Sequence, residues 1–282
     1  MLDLAIIGSG PAAMSAAIYA ARAGISVKVF EKKLFGGALT EIARIDNFPG
    51  FSGKGSELAE KMHSQAISAG AKIEYGEFQG FKDLDAKTES KKDHLKLIID
   101  DEIVLARTAL IATGSEPKKL NIETSTPVSY CATCDAPLYK DKEVLVIGGG
   151  NSAVQESIQM LKIVKKLTIV SRSPFCAEKP LVEKLRAHKN VKILENTSVT
   201  PEMLEKVDGV FAFIGKKPAT NCLPKEVLNQ NGYIITNDCY MTPIKGIFAA
   251  GDVRSGSIKQ AITAAAEGAA AAIHLCNFLE SH

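Results

Sequence analysis

Two cysteines separated by two residues, Cys131 and Cys134, are the side chains of this sequence best suited to do chemistry. Thiols at this spacing can close a small disulfide, and a helix N-terminus beside them would favour the reactive thiolate. Half of a zinc site and a structural pair of buried thiols are the other interpretations, although no second C-x-x-C segment is present to complete a zinc site. The spacing therefore favours a reversible dithiol–disulfide pair.

Asp135 directly follows the second cysteine. Its carboxylate could exchange protons with a thiolate during disulfide transfer, or it could cap the N-terminus of a helix. The five histidines form no cluster, and no metal site is predicted. The remaining cysteines are scattered singly, and we expect them to be buried apolar residues: Cys176, Cys222, Cys239 and Cys276.

Two glycine-rich segments, Gly8-Ser9-Gly10-Pro11-Ala12-Ala13 and Gly148-Gly149-Gly150-Asn151-Ser152-Ala153, lie 140 residues apart. Each matches the fingerprint G-x-G-x-x-G/A, in which glycines let the backbone approach a pyrophosphate at a helix N-terminus. One such match could be a mere strand-to-helix turn. Two matches in equivalent positions predict two nucleotide-binding sites.

The residue at the end of the following strand indicates which nucleotide each site prefers. In the first repeat it is Glu31, whose carboxylate can accept a hydrogen bond from a ribose 2′-hydroxyl, as in FAD. In the second repeat it is Ser171, followed by Arg172, which favours NADPH over NADH because no carboxylate would repel a 2′-phosphate. The alternative is that Arg172 is a solvated surface residue.

The elements that must position these residues follow the same plan twice. An apolar strand enters each glycine segment, a helical stretch leaves it, and a second apolar strand follows. The predicted pieces are the strands 4–7, 25–30, 144–147 and 167–170, with helices to Ala23 and near Val154 to Val164. Later apolar runs end at Gly114 and Gly215, and a third reaches Gly251-Asp252.

We therefore predict an α/β fold with two Rossmann-like dinucleotide-binding domains, the second inserted into the first. Residues 1–116 and 244–282 would form the FAD-binding domain, and residues 117–243 the NAD(P)H-binding domain that carries the dithiol. The chain would cross between them at Ser115 to Lys118 and at Met241 to Pro243, where proline and small or polar residues suit linkers.

The composition excludes several classes of function. Of 282 residues, 46% are hydrophobic and 23% charged, with a formal net charge of +2, a composition that is typical of a folded globular protein and not of a disordered or collagen-like chain. Basic residues are spread along the chain, which disfavours nucleic acid and membrane surfaces as partners. The apolar run 261–279 contains Glu267 and predicts a buried helix instead of a membrane span. The first residues have no basic leader, which predicts a cytoplasmic protein.

The chain resembles, over nearly its whole length, the low-molecular-weight thioredoxin reductase family of the pyridine nucleotide-disulfide oxidoreductase class. The resemblance rests on the two glycine segments, the Cys131–Asp135 motif and five further motifs. Those five are Gly36-Gly37, Asn47-Phe48-Pro49-Gly50, Ala112-Thr113-Gly114, Gly251-Asp252 and Lys259-Gln260-Ala261.

This resemblance implies two cofactors. FAD would bind to Gly8, Gly10, Ala13, Glu31, Gly37, Asn47, Gly114, Gly251, Asp252, Gln260 and Ala261, the last two near the flavin ring. NADPH would bind to Gly148, Gly150, Ser152, Ala153 and Arg172.

The resemblance also implies an electron path and a partner. Electrons would pass from NADPH to FAD, to the Cys131–Cys134 disulfide and then to thioredoxin or a thioredoxin-like protein. Cys134 would face the flavin, Cys131 would attack the partner's disulfide, and Asp135 would act as the acid–base group. The family is usually homodimeric. A same-family flavoprotein reductase with another acceptor or donor, or a flavin-binding regulatory module with a decayed nucleotide site, are the alternatives.

Three departures from the family pattern bear on these expectations. Ser171-Arg172-Ser173 stands where the family commonly has His-Arg-Arg, and Cys176 stands near a further family arginine, so fewer cations face a 2′-phosphate. Ala38 replaces a glutamine near the flavin, and Ala136 replaces the glycine after the dithiol motif. The short span between Gly148 and Gly215 indicates that a hairpin of the second domain has been trimmed.

Overall fold

The computed structural model describes residues 1–42, 44–84 and 94–281. The chain forms two compact units: the first combines Met1–Ser115 with Pro218–His282, and the second is the inserted segment Glu116–Lys217. Each unit contains a sheet with parallel strands and the helices that connect them. This arrangement confirms the predicted α/β class with one Rossmann-like unit inserted into another.

The described strands are, in chain order, β1 Leu2–Ile7, β2 Val27–Glu31, β3 Ile45–Phe48, β4 Phe51–Gly53, β5 Lys72–Tyr75, β6 Phe78–Phe81, β7 Leu95–Ile99, β8 Glu102–Ile111, β9 Ser115–Pro117, β10 Val128–Ser129, β11 Glu143–Ile147, β12 Lys166–Val170, β13 Val191–Leu194, β14 Gly209–Ala212, β15 Lys216–Pro218 and β16 Ile247–Ala249. The α-helices are α1 Pro11–Arg22, α2 Gly55–Ser68, α3 Ala132–Asp135, α4 Asn151–Met160, α5 Lys179–Arg186, α6 Pro201–Leu204 and α7 Ala261–Ser281. Short 3-10 helices cover Gly37–Glu41, Ala136–Tyr139 and Lys225–Val227.

The main sheet of the first unit has the strand order β5-β2-β1-β8-β7-β6, with β16 also paired to β8. The pairs among β5, β2, β1, β8 and β16 are parallel, whereas β6, β7 and β8 form an antiparallel meander. Because the carboxyl ends of parallel strands share one edge, the loops after β1, β2, β8 and β16 come together there. This edge holds most of the residues predicted to bind FAD.

Helices α1 and α7 pack together over one face of that sheet, in a core rich in alanine. Gly268 of α7 permits this packing, because a Cβ atom there would lie 2.0 Å from the backbone oxygen of Ala12 in α1. A second core on the other face includes Ile7, Ile111 and Ile247 from three neighbouring strands. The parallel part of the sheet is therefore buried on both faces, as parallel sheets require.

Helix α7 is the one helix of the described residues long and apolar enough to cross a membrane. It packs along α1, and its Leu275 and Leu279 are buried in the same core as Leu4 and Ile6 of β1. Its one acidic residue in the apolar stretch, Glu267, is also buried. These contacts agree with the buried helix that the sequence predicts.

The second unit is built around five parallel strands in the order β10-β14-β11-β12-β13. One core, with Val146, Val154 and Phe211, lies between the sheet and α4. Another, with Leu145, Val210 and Leu204 of α6, covers the opposite face. The β11–α4–β12 arrangement repeats β1–α1–β2 of the first unit, as the two glycine segments predict.

The second crossing between the units differs from the predicted position at Met241–Pro243. Strands β9 and β15, which contain the two crossings, pair with each other, and the chain returns to the first unit after Lys217. Residues 218–243 belong to that unit because Val227 and Ile234 are buried in its core. The inserted segment is thus shorter than the predicted 117–243.

Candidate active site

The dithiol lies at the start of a short helix in the second unit. Cys131 is half-buried and directly precedes α3, whereas Cys134 lies within α3 and is exposed. The two sulfur atoms form a disulfide, and the Cα atoms of the two cysteines are 5.4 Å apart. The Cys131 sulfur also accepts a hydrogen bond from the backbone N–H of Cys134 at 3.2 Å. This donor would stabilise negative charge on the Cys131 sulfur after reduction.

The carboxylate of Asp135 is bound by a buried serine. The Ser129 hydroxyl donates to Oδ2 of Asp135 at 2.7 Å and accepts from the backbone N–H of Cys131 at 3.1 Å. Asp135 precedes the 3-10 helix Ala136–Tyr139 but makes no side-chain capping hydrogen bond there. The alternative that Asp135 caps a helix is therefore not supported. Through Ser129, its carboxylate is instead hydrogen-bonded to the segment that contains Cys131.

Tyr139 is a titratable side chain close enough to Asp135 to feel its charge. Burial raises the pKa of Tyr139, and the carboxylates of Asp135 and Asp208 raise it further. Its ring packs edge-on against Phe211, with ring centroids 5.3 Å apart. The phenol therefore stays protonated at neutral pH beside the Asp135 carboxylate.

The other cysteines do not match the expectation of buried apolar residues. Cys176, Cys222 and Cys239 are exposed, and only Cys276 is partly covered. Burial raises the pKa of the Cys276 thiol, with Glu280 contributing. The three exposed cysteines lie in connecting segments, which run along the surface. Within residues 1–42, 44–84 and 94–281, no group of three metal-ligating side chains is present.

The first glycine segment forms the turn between β1 and α1. Gly8 has a φ of +98°, and a Cβ atom there would lie 2.5 Å from the carbonyl oxygen of Ala112, so only glycine fits. A Cβ at Gly10 would meet nothing within 4 Å. Helix α1 has neither a side-chain cap nor an acidic residue in its first turn, and Ala13 is fully buried in it. Open space and the N-terminal donors of α1 thus suit a pyrophosphate.

Glu31 ends β2 beside this turn and is only 9% exposed. Its Oε2 accepts a hydrogen bond from the Ser9 hydroxyl at 2.6 Å, and its Oε1 accepts from the backbone N–H of Lys33 at 2.8 Å. Ser9 in turn accepts from the backbone N–H of Gly36 at 3.0 Å. The carboxylate is therefore fixed at the strand end, where a nucleotide ribose is recognised in this type of fold.

Two pairs of predicted FAD residues lie close together in the first unit. A Cβ atom at Gly37 would lie 3.2 Å from the Cα of Gly10. Asn47 of β3 donates through Nδ2 to Oε1 of Gln260 at 3.2 Å. Gln260 directly precedes Ala261, the first residue of α7, so this helix N-terminus faces the β3–β4 hairpin.

The Gly251–Asp252 turn follows β16 and lies against the start of α1, since a Cβ at Gly251 would come 2.9 Å from that of Ala12. The backbone N–H of Gly251 donates to Glu267 at 2.8 Å. Arg254 donates to both carboxylate oxygens of Glu267 at 3.0 and 3.1 Å, and its pKa is raised mainly by this bonding. Asp252 is half-buried in the turn that this ion pair holds.

Gly114 lies beyond β8, where its carbonyl oxygen accepts from the backbone N–H of Ala219 at 3.1 Å. Its neighbour Thr113 has its Cα 3.2 Å from the position of a Cβ at Gly8. The loops after β1, β2, β8 and β16 therefore converge around the N-terminus of α1, and the residues present fit a flavin dinucleotide.

The second glycine segment repeats this geometry between β11 and α4. Gly148 has a φ of +142°, and a Cβ there would lie 2.4 Å from the carbonyl oxygen of Phe213. A Cβ at Gly150 would meet only the Cys176 sulfur, at 3.9 Å. Helix α4 has no side-chain cap and no acidic residue in its first turn, where Ser152 is exposed and Ala153 is buried. These residues fit a second dinucleotide.

The strand end of the second unit differs from that of the first. Ser171 is buried, whereas Arg172 is exposed and has no ion-pair partner among the described residues. The nearest strand, β13, leads into Glu195, which accepts from the backbone N–H of Phe175 and pairs with Arg186. These two partners lower the pKa of Glu195, in that order of strength. Its charge is matched by Arg186, which leaves Arg172 available to an anion.

A pair of Rossmann-like units with glycine-rich turns, one of them carrying a disulfide beside a carboxylate, defines a nucleotide-dependent disulfide oxidoreductase. The family model for pyridine nucleotide-disulphide oxidoreductases matches residues 2–268. A thioredoxin reductase of Treponema pallidum is 34% identical over 99% of this chain and 97% of its own length. A 34.2 kDa protein in the rubredoxin operon of Clostridium pasteurianum is 37% identical over 96% of this chain and 95% of its own length.

Among solved structures, the thioredoxin reductase of Lactococcus lactis is similar with a TM-score of 0.91 and 30% identity, covering 100% of both chains. The chain therefore belongs to the pyridine nucleotide-disulphide oxidoreductase family and, within it, to the low-molecular-weight thioredoxin reductases. Membership implies that it binds a flavin and a pyridine nucleotide.

Proposed function

We propose that this chain reduces the disulfide of thioredoxin or a thioredoxin-like protein, with electrons that pass from NADPH through FAD and the Cys131–Cys134 pair. The observation that carries the proposal is the closed disulfide between these two cysteines in the unit that also has the second glycine-rich turn. The reductases of Treponema and Lactococcus, which the chain resembles over its whole length, support the same conclusion.

The first unit would hold FAD. The N-terminal donors of α1 would bind the pyrophosphate at Gly10, and the Glu31 carboxylate would accept from the adenosine ribose. Asp252 and Asn47 would also contact FAD, and Gln260, which bonds to Asn47, would lie near the flavin ring. When bound, FAD would supply a two-electron carrier between the nicotinamide and the disulfide.

The second unit would hold NADPH. The donors of α4 would bind its pyrophosphate at Gly150, Ser152 would contribute a hydroxyl, and Arg172 would pair with the 2′-phosphate. The ion pair between Glu195 and Arg186 supports the placement of the 2′-phosphate near Arg172. A carboxylate without such a partner beside the strand end would repel the phosphate.

The dithiol would carry the electrons to the partner protein. The Cys131 thiolate attacks one sulfur of the partner's disulfide, which breaks that bond and forms a mixed disulfide. Cys134 then attacks the Cys131 sulfur, which restores the Cys131–Cys134 disulfide and releases the partner with two thiols. Two electrons leave this chain in the process, and Asp135 exchanges the protons that the leaving and attacking thiols require.

The location and assembly that we propose follow from the family. A dithiol that cycles with NADPH requires a reducing compartment, and we propose that the chain works in the cytoplasm as a homodimer.

Single replacement of each cysteine tests the proposal. We expect Cys131→Ser and Cys134→Ser to lower NADPH-dependent reduction of thioredoxin by more than about a hundredfold, because neither variant can close the disulfide. Both variants should keep their flavin, measured by absorbance. Cys222→Ser changes an exposed cysteine of the first unit and should keep full turnover. Turnover retained in both variants of the pair would overturn the mechanism.

The electron donor is tested separately. We expect NADPH to bleach the flavin absorbance of the anaerobic protein faster than NADH does, because Arg172 favours the 2′-phosphate. A faster reaction with NADH would keep the dithiol mechanism and overturn the nucleotide. Bleaching by neither would overturn the proposed donor altogether.

A further inference from the structure

The Ser129 hydroxyl is hydrogen-bonded to both Cys131 and Asp135, the first and last residues of the dithiol motif. Its hydroxyl oxygen accepts from the backbone N–H of Cys131 at 3.1 Å, and its single proton faces two acceptors. The Asp135 carboxylate lies at 2.7 Å and the Cys131 carbonyl oxygen at 3.2 Å. The proton is directed to the carboxylate, because that contact is shorter and the acceptor is charged.

The position of Ser129 is fixed by its strand. It is the second residue of β10, which pairs in parallel with β14 in the register Ser129 to Phe211. The backbone N–H of Val210 adds a hydrogen bond to the carbonyl oxygen of Pro127 at the other end of this pairing. Ser129 is 6% exposed, so water does not compete for its hydroxyl.

We propose that Ser129 is a positioning residue for dithiol–disulfide exchange: it holds the Asp135 carboxylate at a fixed place relative to Cys131. The inference rests on the proposed function, in which Asp135 exchanges protons with the thiols. A carboxylate on the half-buried C-terminal residue of a four-residue helix would otherwise sample several rotamers, and the hydrogen bond from a sheet-anchored hydroxyl selects one of them.

The test measures the two half-reactions of the holoprotein separately. In the first, NADPH reduces the bound flavin. In the second, the reduced protein reacts with oxidised thioredoxin. We expect Ser129→Ala to slow the second reaction about tenfold and to leave the first within about twofold, because only the second needs the proton exchange at Asp135.

Two further variants isolate the role of the hydroxyl. Ser129→Thr keeps a hydroxyl at the same place and should restore most of the lost rate. Ser157→Ala is the matched control, since Ser157 is a fully buried serine of the same unit whose hydroxyl, among the described residues, bonds only to the backbone oxygen of Ala153. It should leave both half-reactions unchanged.

A double variant separates the carboxylate from the Cys131 N–H, which Ser129→Ala also leaves without its acceptor. If Ser129 acts through Asp135, then Ser129→Ala should change the second half-reaction by less than about twofold in an Asp135→Asn background. Multiplicative losses in the double variant, or an equal slowing of both half-reactions in Ser129→Ala, would overturn the inference.

The same set of variants tells this inference apart from the proposed function. If the unaltered protein does not reduce thioredoxin, the proposed function fails. If it does so and Asp135→Asn reacts at the full rate, the acid–base role of Asp135 and the positioning role of Ser129 both fail, while the dithiol path stands.

Discussion

At the scale of a single residue, we propose that Arg172 selects NADPH over NADH. We expect Arg172→Ala to raise the KM for NADPH about tenfold and to leave the KM for NADH within about twofold, because one charge-assisted contact to a 2′-phosphate accounts for about 1.5–3 kcal/mol. Initial-rate kinetics with both nucleotides and thioredoxin measure this difference.

The control for this prediction is Lys165→Ala. Lys165 is exposed and precedes β12, so it lies at the end of the parallel sheet opposite the glycine-rich turn. It should change neither KM. Equal increases of both KM values in Arg172→Ala would contradict the prediction, since they would show contact with a part common to both nucleotides.

Asp3 links the pH dependence of stability to a set of hydrogen bonds in the first unit. The pKa of Asp3 is lowered from 3.8, chiefly by a hydrogen bond from the backbone N–H of Ser26, with the Ser26 hydroxyl and Arg107 adding to the effect against burial. A lowered pKa means that the carboxylate stabilises the fold above pH 3.8. That contribution is lost as the pH falls through the lower, folded-state pKa.

We therefore expect Asp3→Asn to lower the free energy of unfolding by about 1 kcal/mol near neutral pH, and the difference to shrink below about pH 4. Urea unfolding at several pH values measures it. Asp238→Asn, at an exposed position, should change the free energy by less than about 0.5 kcal/mol at every pH. A difference for Asp3→Asn that grows as the pH falls would contradict the assignment.

Sequence patterns located some of these side chains and missed others for a physical reason. The glycines, Glu31 and the cysteine pair could be predicted because their chemistry requires fixed spacings along the chain. Ser129 could not, since a single serine two residues before a cysteine carries no such pattern. The Arg254–Glu267 ion pair could not be predicted either, because in the sequence Glu267 is recognisable only as a charged residue within an apolar run.

At the scale of elements, the packing of α7 on α1 depends on the absence of a side chain at Gly268. We expect Gly268→Ala to lower the free energy of unfolding by about 3 kcal/mol, because the new Cβ would lie 2.0 Å from the backbone oxygen of Ala12 and neither helix backbone can yield locally. This loss exceeds the gain of about 1 kcal/mol that alanine brings to a helix interior.

Chemical unfolding of the variant measures this balance, and Ala266→Gly calibrates the helix term. Ala266 is on the exposed side of α7, so its replacement should cost only about 1 kcal/mol, the difference in helix propensity. A stabilised Gly268→Ala protein would show that the two helices can separate, contrary to the prediction.

Element boundaries were predictable where they depend on local sequence and not where distant residues set them. The strands before both glycine-rich turns lie where the apolar runs place them. Helix α4, expected to reach Val164, ends at Met160. Beyond that end, the side-chain amide of Asn190, a residue distant in sequence, donates to the carbonyl oxygens of Leu161 and Val164 and so satisfies backbone acceptors that a longer helix would have bonded internally.

For the whole molecule, the insertion of one unit into the other was predictable from the repeat, but its extent was not. The proline at position 243 predicts a linker, whereas in the structure the chain returns to the first unit at Pro218. Val227 and Ile234, the residues that anchor the returning segment, are single apolar residues in a polar stretch. Their burial depends on the sheet they cover, and nothing local to them indicates it.

The two units have separate cores, which predicts separate responses to their ligands. In calorimetry of the cofactor-free protein, we expect two unfolding transitions, one raised by FAD and the other by NADP⁺. A ligand at about 100 times its Kd stabilises the unit that binds it by about 2.7 kcal/mol. A single transition that both ligands raise equally would contradict independent units.

The nested order of the units also bears on how the protein is made. Residues 116–217 are continuous, so every strand of their sheet is synthesised before β16 and α7 of the other unit. The surface of α1 that α7 will cover, and the edge of β8 that β16 will pair with, stay open during that interval. Residues 218–282, which are synthesised last, supply β16 and α7 and complete the sheet that the N-terminal residues begin. All residues of the inner unit are therefore present while the outer unit is still incomplete.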